Sequence, residues 1–226
     1  MLQTQLLDNQ WFVGIVTGIA GTALIAIAAA VWKWASRLPY PNCKPYVTRE
    51  QAHKRAAELI RAAIAEPIAG EIDLVSIRSA TDRKVHDDPT YAEYRKALAE
   101  ALDSKTWMVR RFFYIDSEAA LDDILRNDVA QFPRATRYSI KATAAANFPR
   151  ALEPFIIGTE AALIGVTRQD KHTDSCIEVR GKTSVNLLHQ HFQALWSDAD
   201  ALWLRQTHGP DEDGIAELRM RLRSGA

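Results

Sequence analysis

The longest uninterrupted apolar run lies near the N-terminus, where residues 11–32, WFVGIVTGIAGTALIAIAAAVW, hold no charged side chain over 22 positions. At about 1.5 Å per residue, one helix of that length spans a hydrocarbon layer of roughly 30 Å. With Trp34 at its end, this predicts a transmembrane helix over 11–34 and makes the lipid bilayer the first partner. The competing reading, a secretory signal peptide, fits poorly. The preceding MLQTQLLDNQ has no Lys or Arg, the run is too long, and bulky Trp32 and Trp34 close it. Only Asp8 precedes the span, whereas Lys33, Arg37 and Lys44 follow it. That asymmetry places the short tail 1–10 outside and the rest in the cytoplasm, at the inner (plasma) membrane. Gly14, Gly18, Thr22, Ala26 and Ala30 recur every four residues and form a ridge of small side chains. Such a ridge supports close helix approach and a homo-oligomer, although Gly and Ala are also ordinary in membrane helices.

Beyond the span the pattern changes. Residues 35–47, ASRLPYPNCKPYV, contain three prolines and predict a stiff linker. From 48 to 207 the periodicity alternates between that of helices and that of strands. Thr48 with Gln51 makes a capping box for a helix carrying Ala56, Ile60, Ala63 and Ile64 up to Pro67. EIDLVSIRS (71–79) reads as a buried strand, and Asp88-Pro89 opens a helix with Tyr91, Tyr94, Leu98 and Leu102 on one face. WMVRRFFYI (107–115) reads as a second strand, followed by a helix capped by Ser117. Then come RYSIKA (137–142), a hairpin in PFIIGTEAALIGV (154–166) turning at Gly158-Thr159, and SCIEVR (175–180). A last helix is expected from about Ser184 to Gln206, with Leu188, Phe192, Leu195, Trp196, Ala199 and Trp203 on one buried stripe, before a charged, loosely held tail over 208–226. The fold class expected is α/β (α+β), a mixed β-sheet packed between helices.

Composition narrows the function. With 28 basic and 28 acidic residues there is no net charge to drive nonspecific nucleic-acid binding, so nucleic acid is not expected as a partner. Cys43 and Cys176 are the only cysteines and suit reduced structural thiols. His189 and His191 stand about 200° apart on a helix and cannot share a metal, so one should border the core and the other face solvent. His208 with Asp211, Glu212 and Asp213 has metal-like composition but reads as a solvated tail. No metal or cofactor is expected. GxxxxGK[ST], GxGxxG and GxSxG are all missing.

PFIIGTEAALIGV, the strand after it and the helix NLLHQHFQALW, with Phe192 and Trp196 as a Phe-x-x-x-Trp pair, resemble the conserved half-domain of the phospholipase D superfamily over about residues 71–205. In that family a strand with His-x-Lys-x4-Asp runs into a hairpin ending Gly-Ser-x-Asn. Setting Gly165 on the family's glycine puts Ala151 at the histidine, Glu153 at the lysine and Gly158 at the aspartate, with Val166 and Arg168 at the Ser and Asn. Phosphodiester transfer needs an imidazole nucleophile and a cation, which alanine and glutamate do not supply. The resemblance therefore implies a degenerate, non-catalytic member.

The basic residues expected near strand ends and loops are Arg78, Lys141, Arg168, Lys171 and His172, which together suit an anionic small molecule; scattered solubilising charges are the alternative. Two function classes follow. One is a membrane-anchored, non-enzymatic sensor or effector, binding a small ligand or protein partner, which fits bacterial stress or phage-defence signalling by analogy alone. The other is a membrane-tethered phosphodiesterase or nuclease with a non-standard active site.

Overall fold

The computed structural model describes residues 43–46, 48–79, 89–133, 135–145, 152–167 and 173–224. The predicted span 11–34 and its ridge of Gly14, Gly18, Thr22, Ala26 and Ala30 lie outside the described residues. Among the described residues no helix is long and apolar enough to cross a membrane.

Among the described residues nine strands form one mixed sheet: β1 (Cys43–Tyr46), β2 (Gly70–Arg78), β3 (Trp107–Ile115), β4 (Tyr138–Ala144), β5 (Leu152–Ile157), β6 (Ala161–Thr167), β7 (Thr173–Arg180), β8 (Leu202–Gln206) and β9 (Gly209–Pro210). Their spatial order is β1-β7-β6-β5-β2-β3-β4-β8-β9. β2, β3 and β4 run parallel, as strands joined through helices must, and every other pairing is antiparallel. The helices are α1 (Arg49–Ile64), α2 (Pro89–Asp103), α3 (Glu118–Ile124), which runs into a π-helical turn at Leu125–Val129, α4 (Lys182–Trp196) and α5 (Glu212–Ser224).

Side chains alternate across a strand, so each central strand serves two cores. Ile72, Leu74, Val109, Phe113, Ile115, Tyr138 and Ile140 face α1, α2, α3 and α5; Val75, Phe112 and Ile156 face α4 through Val185, Leu188 and Phe192. The helix starts follow local chemistry: Thr48 Oγ1 accepts from Gln51 N at 3.3 Å and Ser117 Oγ from Ala120 N at 3.3 Å. The hairpin turns at Gly158, whose φ of +55° lies in the left-handed region that glycine enters without a Cβ clash.

Three sequence expectations are corrected. Cys43–Tyr46, within the expected linker, is an edge strand, held by backbone pairing with β7 and by Tyr46 Oη donating to Glu178 at 2.6 Å. The last long helix ends at Trp196 rather than continuing to Gln206. Ser197–Asp200 turn the chain, with Asp198 Oδ1 accepting from Asp200 N at 3.0 Å, and residues 202–206 join the sheet beside β4. The tail is not loosely held: Leu218 is fully buried, and Arg219 reaches Glu118 and Asp122 on α3 at 3.3 and 2.8 Å.

Candidate functional site

The described domain buries charge on both faces of its central strands. Arg110 and Arg111 are adjacent on β3, so their side chains leave opposite faces and each finds its own acid. On the α4 face, Asp73 of β2 is fully buried and accepts from Arg110 Nε and Nη2 at 2.7 and 2.8 Å. Glu71 accepts from the same Nη2 at 2.6 Å. The Arg110 guanidinium lies 5.1 Å from the Phe192 ring centroid and 5.7 Å from that of Trp196, so two rings of α4 cover it.

His189 of α4 completes this centre. Its Nδ1 donates to Asp73 Oδ2 at 3.0 Å and its Nε2 to the Gly158 carbonyl at 2.8 Å. Both ring nitrogens face acceptors, an arrangement that only the doubly protonated imidazolium satisfies in full. The hydrogen bond to Asp73 raises its pKa above the ordinary histidine value, against the pull of burial. Gly158 is held from the other side by its own N–H, which donates to Glu71 O at 2.9 Å. One turn thereby meets β2 through its amide and α4 through its carbonyl. His191 is exposed, as its offset on the helix predicts.

On the opposite face Arg111 pairs with Asp128, which the π-helical turn carries into the interior, and its guanidinium lies 4.8 Å from the Phe113 centroid. Burial opposes the Arg111 charge, but Asp128 overrides it and holds the guanidinium pKa up. Burial also pushes the Tyr94 and Tyr138 hydroxyls up, so both stay protonated at neutral pH. This cluster holds the inner helices to the sheet.

The sequence-predicted residues separate. Arg78 ends β2 on the α1–α2 face, 5.9 Å from the Phe113 centroid. Glu153 turns its carboxylate back to accept from Ile77 N at 3.2 Å, which places it beside Arg78 at the end of the parallel strands. Lys141 lies two strands away on the α4 face. Its Nζ donates to Trp196 O, the last carbonyl of α4, at 2.8 Å, and sits 4.7 Å from the Trp203 centroid. It therefore caps a helix C-terminus, where the dipole favours a cation. Arg168, Lys171, His172 and Ala151 lie outside the described residues. Asp211 accepts from Gly214 N at 2.9 Å and so caps α5, and His208 is exposed.

Sequence reasoning missed the Asp73–Arg110–His189 centre. The available signal was an acid in one apolar strand and a base in the next, each three residues from its strand's start. Only the β2–β3 register shows that these positions coincide.

No family model and no curated protein matches this chain. Similar solved structures include TrmBL2, an archaeal chromatin protein described as showing a novel mode of DNA binding, at 12% identity and TM-score 0.48, covering 85% of this chain and 70% of that one. Others are NucT from Helicobacter pylori, at 11% identity and TM-score 0.43 over 70% of this chain and 96% of that one, and a phosphatidylserine synthase from Haemophilus influenzae, at 9% identity and TM-score 0.47 over 80% of this chain and 45% of that one. The expectation that nucleic acid is not a partner is corrected here: the similar structures include a chromatin protein described as binding DNA.

Proposed function

We propose that this chain is a single-pass, membrane-anchored binding module whose cytoplasmic, phospholipase D-like domain carries out no phosphodiester chemistry. The observation that supports this reading is the state of His189. A histidine nucleophile needs a ring nitrogen open to phosphorus, and here one nitrogen faces Asp73 Oδ2 and the other the Gly158 carbonyl, so neither faces a substrate. Glu153 adds to it, because a carboxylate beside Arg78 supplies no cation for a transferring phosphoryl group and limits Arg78 to binding an anion from its far side. The ligand class is anionic, and of the cations the sequence suggests for it only Arg78, at the end of the parallel strands, lies among the described residues outside a helix cap. Polyanions, DNA among them, belong to that class. Self-association through the Gly14, Gly18, Thr22 and Ala26 ridge passes the signal along the membrane.

The test uses the full-length chain in detergent micelles with a generic phosphodiester, anionic phospholipid vesicles and DNA. The expected result is no turnover, with saturable binding to at least one polyanion. Arg78→Ala should weaken that binding by about 1.5–3 kcal/mol, the worth of a charge-assisted hydrogen bond. Turnover abolished by His189→Ala would replace this reading with that of a membrane-tethered phosphodiesterase or nuclease.

A further inference from the structure

We infer that His189 is a proton-operated latch fastening the middle of α4 to the β5–β6 turn. The inference goes beyond the binding reading and does not rest on it.

The geometry carries the argument. The ring spans two acceptors on two different elements, Asp73 Oδ2 on β2 and Gly158 O in the turn. A neutral imidazole has one N–H, so proton loss turns a lone pair toward one of those oxygens. The charged acceptor, Asp73, keeps the remaining N–H, because a hydrogen bond to a carboxylate is the stronger. The bond that opens is therefore the one to Gly158.

The charged groups facing the ring are Asp73 and Glu71 of β2, with Arg110 of β3 behind Asp73. The turn contributes only its carbonyl, and β6 presents apolar Ala162 to the same side. Arg110 is committed to Asp73 and Glu71, and among these groups the imidazole is the one whose ordinary titration range spans neutral pH. The side chain is 19% exposed, which gives the leaving proton a route to water.

Other contacts tie α4 down elsewhere. Its last carbonyl is held by Lys141, and at its start Gly181 N donates to Glu160 O at 3.1 Å. The Lys182–Glu160 pair, at 3.6 Å between two exposed side chains, adds little. Opening the latch therefore frees the turn from α4, while the helix stays attached at both ends and through Asp73 at its middle. The sign follows from the protonated ring being the bound form. The latch is closed below the unfolded histidine pKa of about 6.5 and is lost as pH rises through the higher folded value.

The experiment follows the full-length chain in micelles. Nitrogen NMR of labelled histidine should show His189 protonated on both nitrogens at pH 6 and titrating above about 6.5. Hydrogen exchange, normalised to α1, should show protection of the β5–β6 turn, the Gly158 amide included, falling between pH 6 and 9. Each unit by which the folded pKa exceeds the unfolded one corresponds to about a tenfold change in that protection. His189→Gln should give low protection that no longer varies with pH. Titration at or below about 6.5, or constant relative protection while His189 titrates, overturns the latch. If His189→Gln does not fold, the wild-type titration decides alone.

Discussion

Asp73 and Arg110 stand directly opposite each other on neighbouring parallel strands, and the carboxylate of one holds the guanidinium of the other through two hydrogen bonds of 2.7 and 2.8 Å beneath α4. Removing a charge from water is costly, and a buried pair recovers that cost only while both members are present. Asp73→Ala leaves Arg110 buried against Phe192 and Trp196 with only the half-exposed Glu71 as its acid. The expected loss is about 3–5 kcal/mol in urea unfolding followed by tryptophan fluorescence. Replacing both together, Asp73→Leu with Arg110→Met, should recover most of that loss. A double variant as unstable as the single one would mean that the pair positions α4 in a way apolar packing cannot reproduce.

The strands at 71–79 and 107–115 and the hairpin at Gly158-Thr159 were legible because apolar periodicity and turn chemistry are local signals. β1 was not, because Cys43, Lys44 and Pro45 carry no apolar pattern and only the backbone partner on β7 makes them a strand. The helix expected to reach Gln206 failed for a related reason. Ala199 and Trp203 continue the helical stripe of α4, yet Trp203 pairs with Lys141 of β4, and tertiary pairing overrides a periodicity interrupted by the Asp198 turn. The Asp73–His189 bond joins residues 116 positions apart, a separation over which no local pattern speaks.

Phe192 and Trp196 were expected to share one buried stripe, and the structure separates them. Phe192 is fully buried, whereas Trp196 is half-buried at the helix end, stacked on Phe192 at 5.5 Å. Phe192→Ala should cost about 3–5 kcal/mol through the cavity it leaves. Trp196→Ala should cost less than about 2 kcal/mol, chiefly its cation–π contacts with Arg110 and Lys141. Equal losses in denaturant melts would contradict this ordering.

The topology proposed for the N-terminal segment has its own test. A reporter fused after Ala226 should be active only in its cytoplasmic form, because Lys33, Arg37 and Lys44 follow the span. Gly14→Leu with Gly18→Leu should lower the signal of a membrane two-hybrid assay by holding the helices apart. Unchanged association would move the oligomer contact into the cytoplasmic domain.

Gly214 lets α5 approach β8 closely. A Cβ at that position would strike the Trp203 carbonyl oxygen, a backbone atom that cannot swing aside. Gly214→Ala should therefore destabilise by about 1–3 kcal/mol through overpacking, even though alanine is the better helix former by about 1 kcal/mol. An increase in thermal stability would show that α5 slides along the sheet at no cost.

Glu178 sets the acid limit of the edge that β1 forms. Its carboxylate accepts from Tyr46 Oη at 2.6 Å, from Arg55 Nε and Nη2 at 2.9 and 3.1 Å, and from Arg180 Nε at 2.7 Å. Burial by itself pushes the carboxyl pKa up, but the hydrogen bonds from Arg55, Tyr46 and Arg180 outweigh it and bring the pKa down to about 2. A depressed carboxyl stabilises the fold above its unfolded value of about 4.3. That stabilisation fades as pH falls through the interval down to about 2. Tyr46 has the opposite limit: burial and the bond to Glu178 push its hydroxyl up to about 12. Its contribution is therefore complete below the unfolded tyrosine value of about 10 and is lost only in strong alkali. Glu178→Gln should cost about 3 kcal/mol at neutral pH, because Arg55 and Arg180 lose their acid, and should flatten the acid limb of a stability-against-pH curve between about 4.5 and 2. Hydrogen exchange should show β1 as the first strand released in the wild type as the pH falls through that window. Acid release of β4 ahead of β1 would show that the edge is held by something other than this carboxylate.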